Sequence, residues 1–236
     1  MKKQIAILAA LVAATSFSAF GQGYITFASA TSGTWDEFTT PGAGIRSPSD
    51  VTVGFLWAAT SATDSLTLVS GSGGPNGNGL GLRGGAANKQ VATNGVSSIS
   101  VTPWATIATM VASGGWNWAT NSAAPSAPLQ VTGGANGLWS YNGGASFILA
   151  GPGAGSTIQI VVIGWNNAGS IGSSADIGWS NPFNYLTGAN ASDPNGTTVF
   201  SSSGANQFGV APIPEPSTIA LAGLGGLSLL LFRRRK

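Results

Sequence analysis

Apolar residues come in short runs at strand spacing through most of the chain, and turn-forming residues separate the runs. Val51 to Trp57 (VTVGFLW) and Thr157 to Trp165 (TIQIVVIGW) are rich in β-branched and aromatic residues, the composition that fits a pleated, buried surface. Tyr24–Phe27, Ser65–Val69, Val96–Val101, Leu129–Thr132, Leu138–Tyr141, Ala145–Leu149, Thr197–Ser201 and Asn206–Val210 are shorter candidates. Clusters of Gly, Asn, Pro and Ser lie between them. The spacing predicts a hairpin of Val51–Trp57 with Ser65–Val69 across Thr60 to Asp64. It predicts a second pair, Ala145–Leu149 with Thr157–Trp165, around the loop Gly151 to Ser156. A period of 3.6 surfaces only at Thr106 to Ser113, enough for one or two helical turns. No repeat of fixed period is present. The expected fold class is all-β, a β-sandwich or jelly-roll-like domain.

The two ends follow other rules. Lys2 and Lys3 precede an unbroken apolar stretch, Ile5 to Ala14, and Ala19-Phe20-Gly21 places small residues where a signal peptidase reads. The expectation is a signal helix over 1–21, cut between Gly21 and Gln22. At the other end Ile219 to Phe232 is apolar, and 14 residues of helix span roughly 21 Å. Adding Ser217 and Thr218 brings this to roughly 24 Å, against a bilayer core of about 30 Å. Gly223, Gly225, Gly226 and Ser228 lower its helix propensity, while Arg233, Arg234, Arg235 and Lys236 can snorkel to the headgroups and act as a membrane stop. The reading is a short transmembrane helix over 217–232 that inserts marginally, with the basic end 233–236 inside. Thr218, Ala222 and Gly226 put small residues four apart on one face of that helix, a spacing that permits close helix packing. Basic flanks stay cytoplasmic, so residues 22–211 would be exported.

Ile213-Pro214-Glu215-Pro216-Ser217-Thr218, the Gly-containing apolar run and Arg233 to Lys236 resemble the PEP-CTERM sorting signal of Gram-negative bacteria. The resemblance spans about 25 residues, 212–236. It implies that Pro214, Glu215 and Pro216 are the recognised tripeptide, that the partner is an exosortase, a membrane-embedded transpeptidase, and that the tail is removed. It also implies a cell-envelope or extracellular location, often with polysaccharide matrix. Thr157 to Asn166 and Ile177 to Phe183 loosely resemble late strands of exported β-domains in the same group. None of this implies an activity.

Composition narrows the function of residues 22–211. The net charge of +2 and a pI near 9.2 come from the two ends. Between them Arg46, Arg83 and Lys89 face Asp36, Glu37, Asp50, Asp64, Asp176 and Asp193, so this part is mildly acidic and nucleic acid is not an expected partner. Charged residues are only 7 % of the chain while 43 % is hydrophobic, which argues against disorder. Glycine contributes 36 residues, about twice the usual share of roughly 7 %. One dense tract, 70–85, is expected to be a loop. With no cysteine and no histidine, the chain has no disulfide, no thiol chemistry and no imidazole base or ligand.

Few motifs carry chemistry. Gly79-Leu80-Gly81-Leu82-Arg83-Gly84 matches a dinucleotide fingerprint but lacks the strand before and the helix after that the chemistry needs. Asp36 and Glu37 are neighbours and would point to opposite faces of a strand. Asn190, Asp193 and Asn195 beside Gly196 read as a self-capping polar turn, with a Ca²⁺ loop as the rival. No catalytic residue, metal site or cofactor is expected. The tryptophans are the open feature: Trp57 and Trp165 sit in strong apolar runs and read as core. Trp116 and Trp118 lie two apart among glycines and Asn117, where exposed rings could stack on sugars and where core packing is the alternative. The expected function is a non-catalytic structural or adhesive protein of the surface or matrix. The alternative is a carbohydrate-binding module using exposed tryptophans, and a weaker one is an envelope glycoside hydrolase.

Overall fold

The computed structural model describes residues 22–29, 34–36, 45–46, 49–62, 103–134, 137–180, 182–205 and 208–213. The chain enters through β1 (Gln22–Ile25), β2 (Thr34–Asp36), β3 (Ile45–Arg46) and the long β4 (Val51–Ala59). Helix α1 (Pro103–Ser113) follows, then β5 (Asn117–Trp118), β6 (Val131–Thr132), β7 (Phe147–Gly153) and β8 (Thr157–Asn166). The end is β9 (Asp176–Trp179), β10 (Phe183–Leu186), a single turn α2 (Pro194–Thr197) and β11 (Phe208–Pro212).

The two strongest apolar runs find each other. β4 and β8 pair antiparallel from Val51↔Asn166 to Ala59↔Ile158. They form the middle of a nine-stranded sheet of order β3-β2-β11-β9-β8-β4-β5, with β10 also on β8 and β6 also on β4. Their runs are continuous rather than alternating because both faces of this pair are covered. Val51, Val53 and Phe55 with Ile158, Ile160 and Val162 face one core. Leu56 and Ala58 with Val161, Ile163 and Trp165 face another.

The first core lies against a second layer, the two-stranded sheet β1–β7. That layer is widened by backbone bonds from Ser122 to Ile148 and from Ala150 to Thr120 on one side, and by reciprocal Tyr24–Gly188 bonds on the other. Two sheets facing across an apolar core fit a β-sandwich. The second core is roofed by α1. Pro103 opens this helix, where its missing N–H costs nothing. Pro103, Ile107 and Met110 are its buried stripe. It stops at Gly114 and left-handed Gly115 (φ 75°), with the Gly114 and Trp116 N–H groups both donating to the Met110 carbonyl.

Several expectations change here. Ser65–Val69 lies outside the described residues. β4 is paired on both edges. One edge carries β8, and the other carries β6 at Thr52–Val53 and β5 at Leu56–Trp57. The second expected pair does not form a hairpin. β7 runs on to Gly153 and pairs with β1, so the two strands sit in different sheets, joined by a turn at 154–156. Leu138–Tyr141 leads into a 3₁₀ turn, Tyr141–Gly144, rather than a strand, with Asn142 in the left-handed region (φ 43°). Thr197–Ser201 straddles α2 and a 3₁₀ turn, Phe200–Ser203. Asp193 caps the first with Pro194 behind it, and left-handed Gly204 closes the second. The helical turns expected at Thr106–Ser113 extend back to Pro103. The signal helix over 1–21, the tract 70–85 and the apolar tail 217–232 lie outside the described residues. No helix among the described residues is long and apolar enough to cross a membrane.

Candidate functional site

The feature that links fold to handling is the place where the chain leaves the domain. β11 is held on both edges. Phe208, Gly209 and Val210 pair in parallel with Thr34, Trp35 and Asp36 of β2, and Ala211 and Pro212 pair antiparallel with Ile177 and Asp176 of β9. Phe208 and Val210 send buried side chains into the first core. Glycine makes the seat: Gly164 and Gly178 are cross-strand partners in β8 and β9. A Cβ on Gly178 would run into the Gly209 carbonyl, and one on Gly164 would come within 2.9 Å of the Phe208 ring.

The docking continues one residue past β11. The Ile213 N–H donates to the Ala175 carbonyl at 2.7 Å, and its half-buried side chain packs on the second core beside α1. The corner that receives it is itself tied down. The Ser174 hydroxyl donates to the Asp176 carbonyl (2.9 Å), the Asn166 amide donates to the Asp176 carboxylate (2.9 Å), and the Trp104 indole N–H donates to the Ser174 carbonyl (2.8 Å). Pro214, Glu215, Pro216 and the basic residues Arg233, Arg234, Arg235 and Lys236 lie outside the described residues. At the opposite end Gln22 is the first residue of β1 and is exposed, paired with Gly153. Gly21 lies outside.

The structure separates the two readings of Trp116 and Trp118. Trp116 is 1 % exposed and belongs to the second core, so its ring is not a surface platform. Its neighbours are glycines, but α1 ends by turning this segment inward. Trp118 is half-buried against the same core and stands edge-on to Trp165, 6.4 Å between ring centres. Trp104 does the same from α1 at 6.1 Å. Trp165 is core as expected, whereas Trp57 is only half-buried and lies over Gly151. The indole N–H groups of Trp57, Trp139 and Trp179 have no hydrogen-bond partner, a departure from the pairing expected of buried indoles. Sequence reasoning passed over Trp104, whose Pro-Trp-Ala-Thr context opens the helix.

Asn190, Asp193 and Asn195 form a capped turn. The Asp193 carboxylate accepts the N–H groups of Ala189 (2.8 Å) and Asn195 (3.0 Å), and the Asn190 side-chain oxygen accepts the Ser192 N–H (2.9 Å). Those bonds from Ala189 and Asn195 hold the Asp193 carboxyl below its usual range. Burial pushes the Tyr185 hydroxyl up to about 12, against a smaller lowering by the Thr26 N–H that it accepts. Gly79–Gly84 lies outside the described residues. Among the described residues no three His, Cys, Asp or Glu come together to hold a metal ion.

Residues 212–236 match the model of the PEP-CTERM protein-sorting motif. No curated protein and no solved structure matches the chain. The motif marks a protein that is exported, held at the membrane and then processed by an exosortase.

Proposed function

We propose, from the premise that this is a PEP-CTERM protein by its tail at 212–236, that the domain over residues 22–211 serves a non-catalytic structural or adhesive role at the cell surface or in the extracellular matrix. A signal peptidase would cut between Gly21 and Gln22. The segment 217–232 would hold the chain in the inner membrane until the exosortase recognises Pro214, Glu215 and Pro216. The observation that carries the reading is the motif match that begins at the last residue of the strand closing the domain. The non-catalytic reading is supported by two carboxylates that are already engaged: Asp193 accepts the Ala189 and Asn195 N–H groups, and Asp176 accepts the Asn166 side-chain amide.

The test is terminal mass spectrometry of the protein recovered from its own envelope fraction, for the natural chain and for a chain with Pro214, Glu215 and Pro216 all replaced by Ala. The expected result is a mature N-terminus at or near Gln22, and loss of the segment 217–236 only when the tripeptide is intact. An unprocessed natural chain in the cytoplasm overturns the reading.

A second reading has one observation in its favour. Trp104 and Trp118, both half-buried, flank Trp165 on the α1 side of the sheet. Between Lys89 and Asp176 there is no Asp, Glu, Lys or Arg. A neutral surface with partly open indoles suits a neutral polysaccharide. Tryptophan fluorescence during titration with such a polysaccharide separates the two roles, since a stacking site quenches or shifts it and Trp118→Ala removes the response.

A further inference from the structure

We infer that the fold latches its own sorting signal: the end of β11 must come off the Ala175–Asp176 corner before the exosortase can engage the tail. This rests on the sorting role proposed above.

The matched motif begins at Pro212, yet Pro212 is the last residue of β11 and is paired with Asp176. Ile213 is docked as well, through its N–H on the Ala175 carbonyl and its side chain on the second core. The first two residues of the sorting signal are therefore part of the sheet. Only Pro214, Glu215 and Pro216 separate them from the apolar segment that opens at Ser217. Whatever their conformation, the reach from Ile213 to Ser217 is at most about 14 Å. A folded domain is thus held against the membrane surface where a membrane-embedded enzyme must work.

Enzymes that read a peptide stretch commonly bind it extended and pair with its backbone. The Ile213 N–H cannot serve the Ala175 carbonyl and an enzyme at once. Even an enzyme that contacts only the tripeptide meets the bulk of the corner built from Ser174, Ala175, Asp176 and Trp104. Three residues give no room to step aside. Peeling back Pro212 and Ile213 supplies the missing length at the cost of one backbone bond and one half-buried side chain. β11 itself stays anchored by Phe208 and Val210. The signal is thereby offered in pulses set by local fraying, which occurs at element ends far more often than global unfolding.

The experiment uses the full chain in membranes containing the exosortase, and follows loss of the tail with time. Six Gly/Ser residues inserted between Ile213 and Pro214 leave the latch and the tripeptide intact but remove the crowding. Processing is expected to speed up by about fivefold to tenfold, the population change that freeing one backbone bond and a half-buried isoleucine implies. The converse variant is Ala175→Cys with Ile213→Cys. The chain has no other cysteine, and cross-strand neighbours lie within disulfide reach. Oxidised, it should stop processing; reduced, it should process at least as fast as the natural chain, because the packing of the Ile213 side chain is gone. An unchanged rate with the insertion, or equal rates for oxidised and reduced pairs, overturns the latch. If the cysteines do not oxidise, the insertion alone decides. Replacing Pro214, Glu215 and Pro216 by Ala separates the two claims. Tail loss that persists in that variant sinks the sorting role, whereas an insertion without effect on tripeptide-dependent processing sinks only the latch.

Discussion

Phe200 shows how much a single side chain decides in this domain. It is fully buried, and its ring centre lies 5.4 Å from Phe27, 5.2 Å from Phe55, 6.0 Å from Trp139, 5.3 Å from Phe183 and 5.4 Å from Tyr185. These partners come from both layers, so Phe200 fills the space between them. Phe200→Ala should cost about 3–5 kcal/mol, read as a lower urea midpoint of the mature domain with an unchanged slope; a shift under about 1 kcal/mol would mean that the site collapses around the gap. Tyr185, one of those partners, sets an alkaline limit. Its O–H donates to the Thr198 carbonyl at 2.8 Å and its oxygen accepts the Thr26 N–H at 3.3 Å. Burial raises its folded pKa to about 12 from an ordinary value of 10.0. The folded state therefore favours the neutral hydroxyl. The stability this group contributes is complete below pH about 10 and is lost as pH rises through about 12. Thermal melts of the natural domain and of Tyr185→Phe across pH 9 to 12 should converge as pH rises, because the variant has nothing to ionise there. Neither role could be read from local sequence. Phe200 stands in a Thr-Thr-Val-Phe-Ser segment with strand composition, and only Asp193, Pro194 and left-handed Gly204 turn it into a buried corner.

Among the elements, the strands most legible in the sequence were β4 and β8. Each is a run of β-branched and aromatic residues long enough to outweigh its turns. Their partners were not legible, because pairing between distant segments leaves no local trace. β9 and β10 were noticed only as a likeness to other exported domains, since Ser180-Asn181-Pro182 interrupts them. The interruption has a use: the Ser180 N–H donates to the Val162 carbonyl and the Ser180 hydroxyl accepts the Val162 N–H. One residue thus satisfies β8 while the register slips between Ile163↔Trp179 and Ile160↔Phe183. Abundant glycine read as loop, yet some of it is structural inside strands. Gly178→Ala pushes a methyl group into the Gly209 carbonyl, backbone that cannot yield like a side chain. It should lower stability by about 1–3 kcal/mol or more and loosen β11. Gly134→Ala, whose Cβ would meet nothing closer than the Leu138 carbonyl at 3.4 Å, should be near neutral. Thermal denaturation of the two variants side by side checks this, and equal melting temperatures would remove the glycine seat from the account.

For the molecule as a whole, the tail motif was legible because it is a contiguous pattern of three parts. The burial of Trp116 could not be settled from its neighbours in sequence, because burial is a property of the assembled sheet and helix. The same assembly makes the C-terminal strand a keystone. β11 joins β2 in parallel to β9 in antiparallel, and so ties the β2–β3 edge to the rest of the larger sheet. Cutting on the far side of Ile213 leaves this joint whole, so a chain over 22–213 should be as stable as the domain with its tail. Ending at residue 207 removes Phe208 and Val210, 1 % and 0 % exposed. Burying such side chains is worth about 1.5–3 kcal/mol each. Their loss, with the β2 and β9 pairings, takes away a large part of a total that is about 5–15 kcal/mol for a domain of this kind. Urea titration followed by tryptophan fluorescence should give matched midpoints for 22–213 and 22–236 in detergent, and a much lower or absent transition for 22–207. Coincident midpoints for all three would show that β11 is dispensable. A domain that tolerates loss of its last strand would have no reason to keep the start of its sorting signal inside the sheet.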